Sequence, residues 1–384
     1  MFAHLSIYPA THDQAIESRK RSWEHWGKRY GFPDQQSYID RPGTYASLVP
    51  GDDDFHSLVV WVLAPRNDPE TLDFMCACEV YRRELSVSRQ AGSNLDPTSE
   101  EPIGYGVGAV FTPPDKRGKG YAKHMMRLLH WVLAPASSFP DPFPEQWGKP
   151  PTVPQNYGRG VVSILWSALG PEYYKSCGPY PGKDGWTVVP NTLTSWDVET
   201  MLQRVDEDAK IGQWTFLEGG RVEEIAQMDS ELITAEARTA PPPKHATFSF
   251  LPRQGLAQFW QFFVRHIDEP PEYWGIASRG SEEDRTPGLP FALWAYAFFP
   301  DKPRTLWITR LRCSKGLLPS VLFQIADYAK RFGIVKIEAW NLPDNLKEEA
   351  EKIGGCHTLA EGHQLASVKW YGEEDKVEWL NNER

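Results

Sequence analysis

The chain has 384 residues, 41% apolar and 24% charged, values that exclude wholesale disorder. Its 41 Lys and Arg against 51 Asp and Glu leave a net charge of −10, which disfavours bulk nucleic-acid binding but leaves room for a local cationic pocket. Five cysteines form neither a C-x-x-C pair nor an even set, the first ten residues lack a signal-peptide core, and no apolar run reaches the ~18 residues of a membrane span. The expectation is a cytoplasmic protein in a reducing compartment, without nucleic-acid or membrane partners.

In chain order, residues 11–28 begin with a candidate N-cap, Thr11, and Gln14 three residues on, the pattern of a capping box. They predict a helix to Gly27, broken at 31–34. Strands are predicted at 56–64, 72–87 and 103–112, where apolar and β-branched residues run between turns. A helix follows Gly120 to residue 133, with Met125, Met126, Leu128, Leu129, Val132 and Leu133 on one face. Seven prolines between 135 and 154 mark an insertion, 135–160, without regular structure. Residues 161–167 predict a strand, 171–177 a short helix stopped by Gly178, and 186–189 and 193–198 two closing strands.

Two helical patterns occupy 199–240, and PPPKH at 241–245 reads as a linker. Beyond it, helices are predicted at 256–267, 317–332 and 345–353, and strands at 273–278, 291–299, 305–313, 335–340 and 364–370. Both halves run strand, strand, helix, strand, short helix, Gly, strand, which indicates a duplicated unit. Gly178 stands 18 residues before Trp196, and Gly354 stands 16 before Trp370. The expected fold class is α/β (α+β), a mixed twisted sheet flanked by helices with a second, degenerate copy. The domains are drawn at 1–200, a connecting segment at 201–245, and a second domain at 246–384.

The stretch with chemical content is Val110-Phe-Thr-Pro-Pro-Asp-Lys-Arg-Gly-Lys-Gly-Tyr-Ala122, a strand end, a basic glycine-rich turn and a helix start. Glycines let successive N–H groups converge, and a helix N-terminus adds unpaired donors and a positive dipole end. A pyrophosphate fits such a cup, with Lys116, Arg117 and Lys119 to neutralise it and the small Ala122 permitting close approach. A solvated basic turn is the blander alternative. Neither a Walker loop nor a G-x-G-x-x-G fingerprint is present.

Val110-x-Thr112, four residues, then Arg117-x-x-Gly120-x-Ala122 resembles the pyrophosphate-loop signature of the GCN5-related N-acetyltransferase superfamily. Tyr174, four residues before Gly178 and downstream of an apolar strand, fits the same pattern, with Pro179 where Phe is usual. The phrase Leu169-Gly-x-x-Tyr-Tyr-x-x-Cys-Gly178 further resembles the fungal L-lysine N6-acetyltransferases. The resemblance implies acetyl-CoA as co-substrate, held by Val110, Phe111, Thr112, Arg117, Gly118, Lys119, Gly120, Tyr121 and Ala122. Pantetheine would lie in a wedge between this strand and the one ending at Ser167, and an oxyanion would meet an N–H of the Val110–Phe111 region. Tyr174 would protonate the departing thiolate, leaving Tyr173 to the core.

The acceptor so implied is a small primary amine, foremost free L-lysine, whose reference pKa of ~10.4 requires that a proton be removed. The strand at 103–112 offers no ionisable group but Tyr105, so Glu79 is the candidate base, with Glu172 behind it; an ion pair of Glu79 with Arg82 or Arg83 is the alternative. Arg82, Arg83 and Arg159 are cations available to a lysine carboxylate. Cys76 and Cys78 read as core thiols, and His124 and His130 point in different directions, so no metal site is expected. The second half reads Arg312-Cys-Ser-Lys-Gly-Leu-Leu at the loop and Ala350 at the tyrosine position, which predicts a structural role closing the cleft. The insertion would be a lid or an exposed spacer. Acetylation of another small amine or a protein lysine, and a CoA-binding sensor or scaffold without transfer, are the competing functions.

Overall fold

The computed structural model describes residues 2–40, 58–89, 102–139, 141–253, 261, 264, 267, 269–278, 289–359 and 364–381. The chain opens with β1 (Leu5–Pro9), α1 (His12–Ser22), a π-helical turn (Trp23–Gly27), α2 (Gln35–Ile39), β2 (Leu58–Pro65), β3 (Cys76–Ser88) and β4 (Ile103–Phe111). Next come α3 (Tyr121–Leu133), β5 (Gly160–Ser167), α4 (Glu172–Lys175), β6 (Thr187–Val188), β7 (Thr192–Asp197), α5 (Val198–Arg204), β8 (Trp214–Leu217) and α6 (Gly219–Thr239). The remainder is β9 (Ala246–Phe250), β10 (Gly275–Ser278), β11 (Phe291–Ala297), β12 (Thr305–Arg312), α7 (Leu318–Lys330), β13 (Lys336–Trp340), α8 (Asp344–Lys352), β14 (Cys356–Leu359), β15 (Leu365–Trp370) and β16 (Val377–Trp379). Among the described residues no helix is long and apolar enough to cross a membrane.

Local chemistry accounts for the best-defined elements. The capping box forms, with Thr11 Oγ1 accepting from the Gln14 N–H at 3.3 Å and Gln14 Oε1 accepting from the Thr11 N–H at 3.0 Å. The apolar face of α3 is fully buried against the sheet, its six predicted side chains each worth about 1.5–3 kcal/mol of transfer free energy. The predicted helix at 256–267 lies outside the described residues except for 261, 264 and 267.

One sheet has the order β1-β2-β3-β4-β5-β15-β6, and the other β14-β7-β13-β12-β11-β10-β8. Along these orders each has one parallel step, β4 beside β5 and β12 beside β13, and off the first order β9 pairs with β3 and lies parallel to β16. The sheets cross the boundaries drawn at 200 and 246. β7 inserts between β13 and β14 of the second sheet, while β15 inserts between β5 and β6 of the first. These strands carry the repeat-related Trp196 and Trp370, so the duplicated units have exchanged equivalent strands. The segment 201–245 is likewise more than a connection, because β8 pairs with β10 as an edge strand and α6 buries Val222, Ala226 and Ile233.

The Pro-rich insertion is not a wholly exposed spacer. It folds onto the outer side of α3, where Phe139 and Phe143 lie 4.4 and 5.0 Å from the Trp131 ring and Trp147 is buried. Proline denies it regular hydrogen bonding, so aromatic contact fixes its path.

Candidate active site

β4 pairs with β5 only from Ile103 to Gly106, the last partner being Ile164. Beyond that point β4 continues to Phe111, while β5 follows β15 as far as Ser167 opposite Leu365. The β5-facing edge of β4 therefore leaves the ladder, and a wedge opens with backbone groups available to an extended ligand. On the other edge of β4, Phe111 lies opposite Ala77 and Gly108 opposite Glu79, three steps against two. The extra residue is a β-bulge, and Ala109 within it takes φ +47°. A left-handed alanine costs on the order of 1 kcal/mol, and here it re-aims the amides around Val110.

After β4 a tight turn at Pro114–Lys116 leads to Gly118 at φ +75° and Gly120 at φ +84°, and α3 begins at Tyr121. A Cβ at Gly118 would meet nothing within 4 Å, so backbone conformation, not space, calls for glycine there. The first α3 amide to find a helical carbonyl is that of His124, bonded to Gly120 O at 3.0 Å, which leaves the amides of the preceding turn outward. Residues 117–120 are exposed, and Tyr121 and Ala122 are half-buried behind them. Arg117 Nε donates to Thr112 O at 2.9 Å, and Lys119 Nζ to Asp115 O at 3.1 Å. Lys116 departs from expectation. Its ammonium is turned inward, donating to the Asp73 carboxylate and to the carbonyls of Asp73 and Phe74. It anchors the loop instead of facing a phosphate, and its proximity holds the Asp73 carboxyl below the usual range.

Tyr174 on α4 is 8% exposed and meets the Tyr173 ring edge-on at 5.0 Å. Burial pushes both phenols up, Tyr173 to about 12, so each keeps its proton at neutral pH. Tyr173 is half-buried and packs against the core cluster to which Tyr174 itself belongs. Glu79 is 7% exposed, lies beside the bulge opposite Gly108, and accepts from the Tyr81 hydroxyl at 3.0 Å. Glu172 and Arg159 are exposed. Arg82 is buried opposite Tyr105, and Arg83 donates to Leu251 O at 3.0 Å above the Phe250 ring. Cys76 and Cys78 are buried on the α3 side. A cavity of about 810 Å³ lined by His245, Lys369, Trp370 and Trp379 shares no residue with the wedge.

His25 escaped the sequence reading. It sits in the π-helical turn with its ring 6.1 Å from that of Phe111, and burial, then Arg29 and Arg117, lower its pKa. π-Turns gather at functional sites, but no spacing in the sequence announces one.

The second half repeats the plan. Leu293 lies opposite Arg310 and Trp294 opposite Ile308, leaving Thr309 as the extra residue, and parallel pairing of β12 with β13 ends at Ile308. Here the chain's own acids occupy the site. The Gly316 N–H donates to Glu349 Oε1 at 2.7 Å. Asp229, fully buried on α6, pairs with Arg310 and Arg312, and Arg312 also reaches Glu236 at 2.7 Å.

Residues 199–384 match the family model of the LYC1 GNAT-like C-terminal domain. A conserved Enterococcus faecalis protein described as a probable N-acyltransferase is similar over 96% of this chain and 72% of its own, at 10% identity and TM-score 0.53. A GCN5-related N-acetyltransferase from Kribbella flavida gives the same four values. Another, from Anabaena variabilis, gives 96%, 73%, 11% and 0.54. No curated protein matches significantly. At such identities the likeness is one of fold: the chain has the fold of the GCN5-related N-acetyltransferases, in two halves that exchange a strand.

Proposed function

We propose that this chain is an acetyl-CoA-dependent N-acetyltransferase whose acceptor is the side-chain amine of free L-lysine, with the first half catalytic and the second structural. One observation carries the activity: the wedge beyond Gly106 opens along the strand that leads, through two left-handed glycines, into the N-terminus of α3. The fold and the family match of the second half support it. Lysine as acceptor rests on the phrase at 169–178, and a cytoplasmic location suits the five free thiols.

The amides of 118–122, with Arg117 and Lys119, receive the diphosphate, and Val110 and Thr112 pair with pantetheine as a strand would. Glu79, oriented by Tyr81, takes a proton from the incoming ammonium. The amine nitrogen then bonds to the thioester carbonyl carbon, and amides re-aimed by the bulge stabilise the oxyanion. As the C–S bond breaks, Tyr174 donates its proton to the thiolate, and the proton lost from nitrogen restores the phenol through solvent.

Thiol release from acetyl-CoA with a panel of amines tests this. Turnover with lysine is expected; turnover only with other amines moves the substrate, and binding without turnover marks a sensor. Tyr174→Phe should lower kcat about 100-fold while calorimetry finds CoA affinity unchanged. An unaltered kcat removes Tyr174 from the chemistry.

A further inference from the structure

The strand exchange delivers a buried tyrosine into the first half. Tyr371 follows β15, and its N–H donates to Val161 O at 2.9 Å. Its hydroxyl lies 2.9 Å from His130 Nδ1 and 2.9 Å from Ser163 Oγ. Trp186 Nε1 donates to the same Ser163 Oγ at 2.9 Å, and His130 Nε2 lies 3.0 Å from the Cys177 carbonyl. Tyr371 is 7% exposed and the other side chains at most 1%.

Only one direction of donation satisfies every atom. An indole N–H can only donate and a carbonyl can only accept. Burial keeps His130 neutral, so its single proton sits on Nε2, facing Cys177. Nδ1 must then accept, Tyr371 must donate to it, and Ser163 must donate to Tyr371. The chain runs Trp186 to Ser163 to Tyr371 to His130 to the Cys177 carbonyl.

That carbonyl closes the turn carrying Tyr174. The Cys177 and Trp186 N–H groups both donate to Tyr174 O, at 3.1 and 3.2 Å. The Trp186 ring stacks on His130 at 4.2 Å and meets the Tyr174 ring edge-on at 6.5 Å.

We propose that Tyr371 is a positioning residue for Tyr174, contributed by the exchanged C-terminal strand and acting through His130 and the Cys177 turn. The inference rests on Tyr174 being the proton donor. Without the Tyr371 hydroxyl, His130 is free to change tautomer, Cys177 O loses its donor, and the turn is released. Small displacements of a reacting group lower rates disproportionately.

A double-mutant cycle tests this in the full chain. Tyr371→Phe should lower kcat tenfold or more, with KM for acetyl-CoA and CoA affinity unchanged. Adding Tyr371→Phe to Tyr174→Phe should lower kcat no further. Wild-type kcat in Tyr371→Phe, or losses that multiply in the double variant, overturns the proposal. A Tyr174→Phe variant as fast as wild type sinks the proton-donor assignment first, and the positioning role with it. If Tyr371→Phe does not fold, the wild-type protein still decides: imidazole nitrogen NMR should show neutral His130 protonated on Nε2 at pH 7. The opposite tautomer, or an imidazolium, overturns the proposal.

Discussion

His124 lies on α3 between the rings of Phe2 and Trp147, at 5.1 and 6.1 Å, and neither of its ring nitrogens has a hydrogen-bond partner. Burial above all, then Arg127 and Arg66, pushes its pKa down to about 4. Between the ordinary value of 6.5 and 4 the unfolded chain binds a proton that the folded chain refuses, so stability falls as pH falls through that window. The loss from this residue reaches on the order of 3 kcal/mol at the lower end. Asp73, whose folded pKa is depressed, withdraws its contribution in the same direction below the carboxylate range. Urea midpoints from pH 7.5 to 4.5 should slope less steeply in His124→Leu than in wild type; equal slopes would show that His124 already carries its proton in the folded state. The glycine-rich basic turn before α3 was legible at this scale because its glycines and cations are contiguous. The inward turn of Lys116 was not, since Asp73 stands 43 positions away. Nor was the bulge, because an alanine at positive φ has no compositional mark.

Elements with their own periodicity were legible: the capped α1, the amphipathic α3, the apolar β2 and β5. Strands of three to five residues, such as β1, β8 and β16, were not, because pairing partners and not local pattern define them. Partner choice was hidden even where the strand was plain. β7 and β15 occupy corresponding places in the repeat, and nothing local tells them to trade sheets. The trade ties the halves together, with five paired positions between β7 and β13 and six between β15 and β5. Trp196 on β7 is fully buried in the second core and donates to Ala350 O at 3.2 Å. A protease site placed at 241–245, where the chain is mostly exposed, should therefore yield fragments that still co-elute as one species without denaturant. Elution as two separate species would show that the exchanged strands do not hold them.

Across the molecule, two similar wedges meet different fates. The first presents open amides and exposed cations. The second has its Gly316 amide capped by Glu349 and its arginines matched by Asp229 and Glu236. Calorimetry should accordingly find one CoA per chain, and a stoichiometry of two would show the second wedge to be open. The missing Gly-x-Ala after Gly316 was readable in the sequence. The acid that fills its place, 33 positions on, was a matter of tertiary approach.

The exchanged strand also sets a timetable. Ser163 and Tyr371 are 208 positions apart, so a ribosome must add that whole stretch before the first sheet can acquire its missing member. Until then a nascent chain presents the open flank of β5, a template for misassociation. A chain cut short before β15 would yield an incomplete and adhesive product, not a slower enzyme.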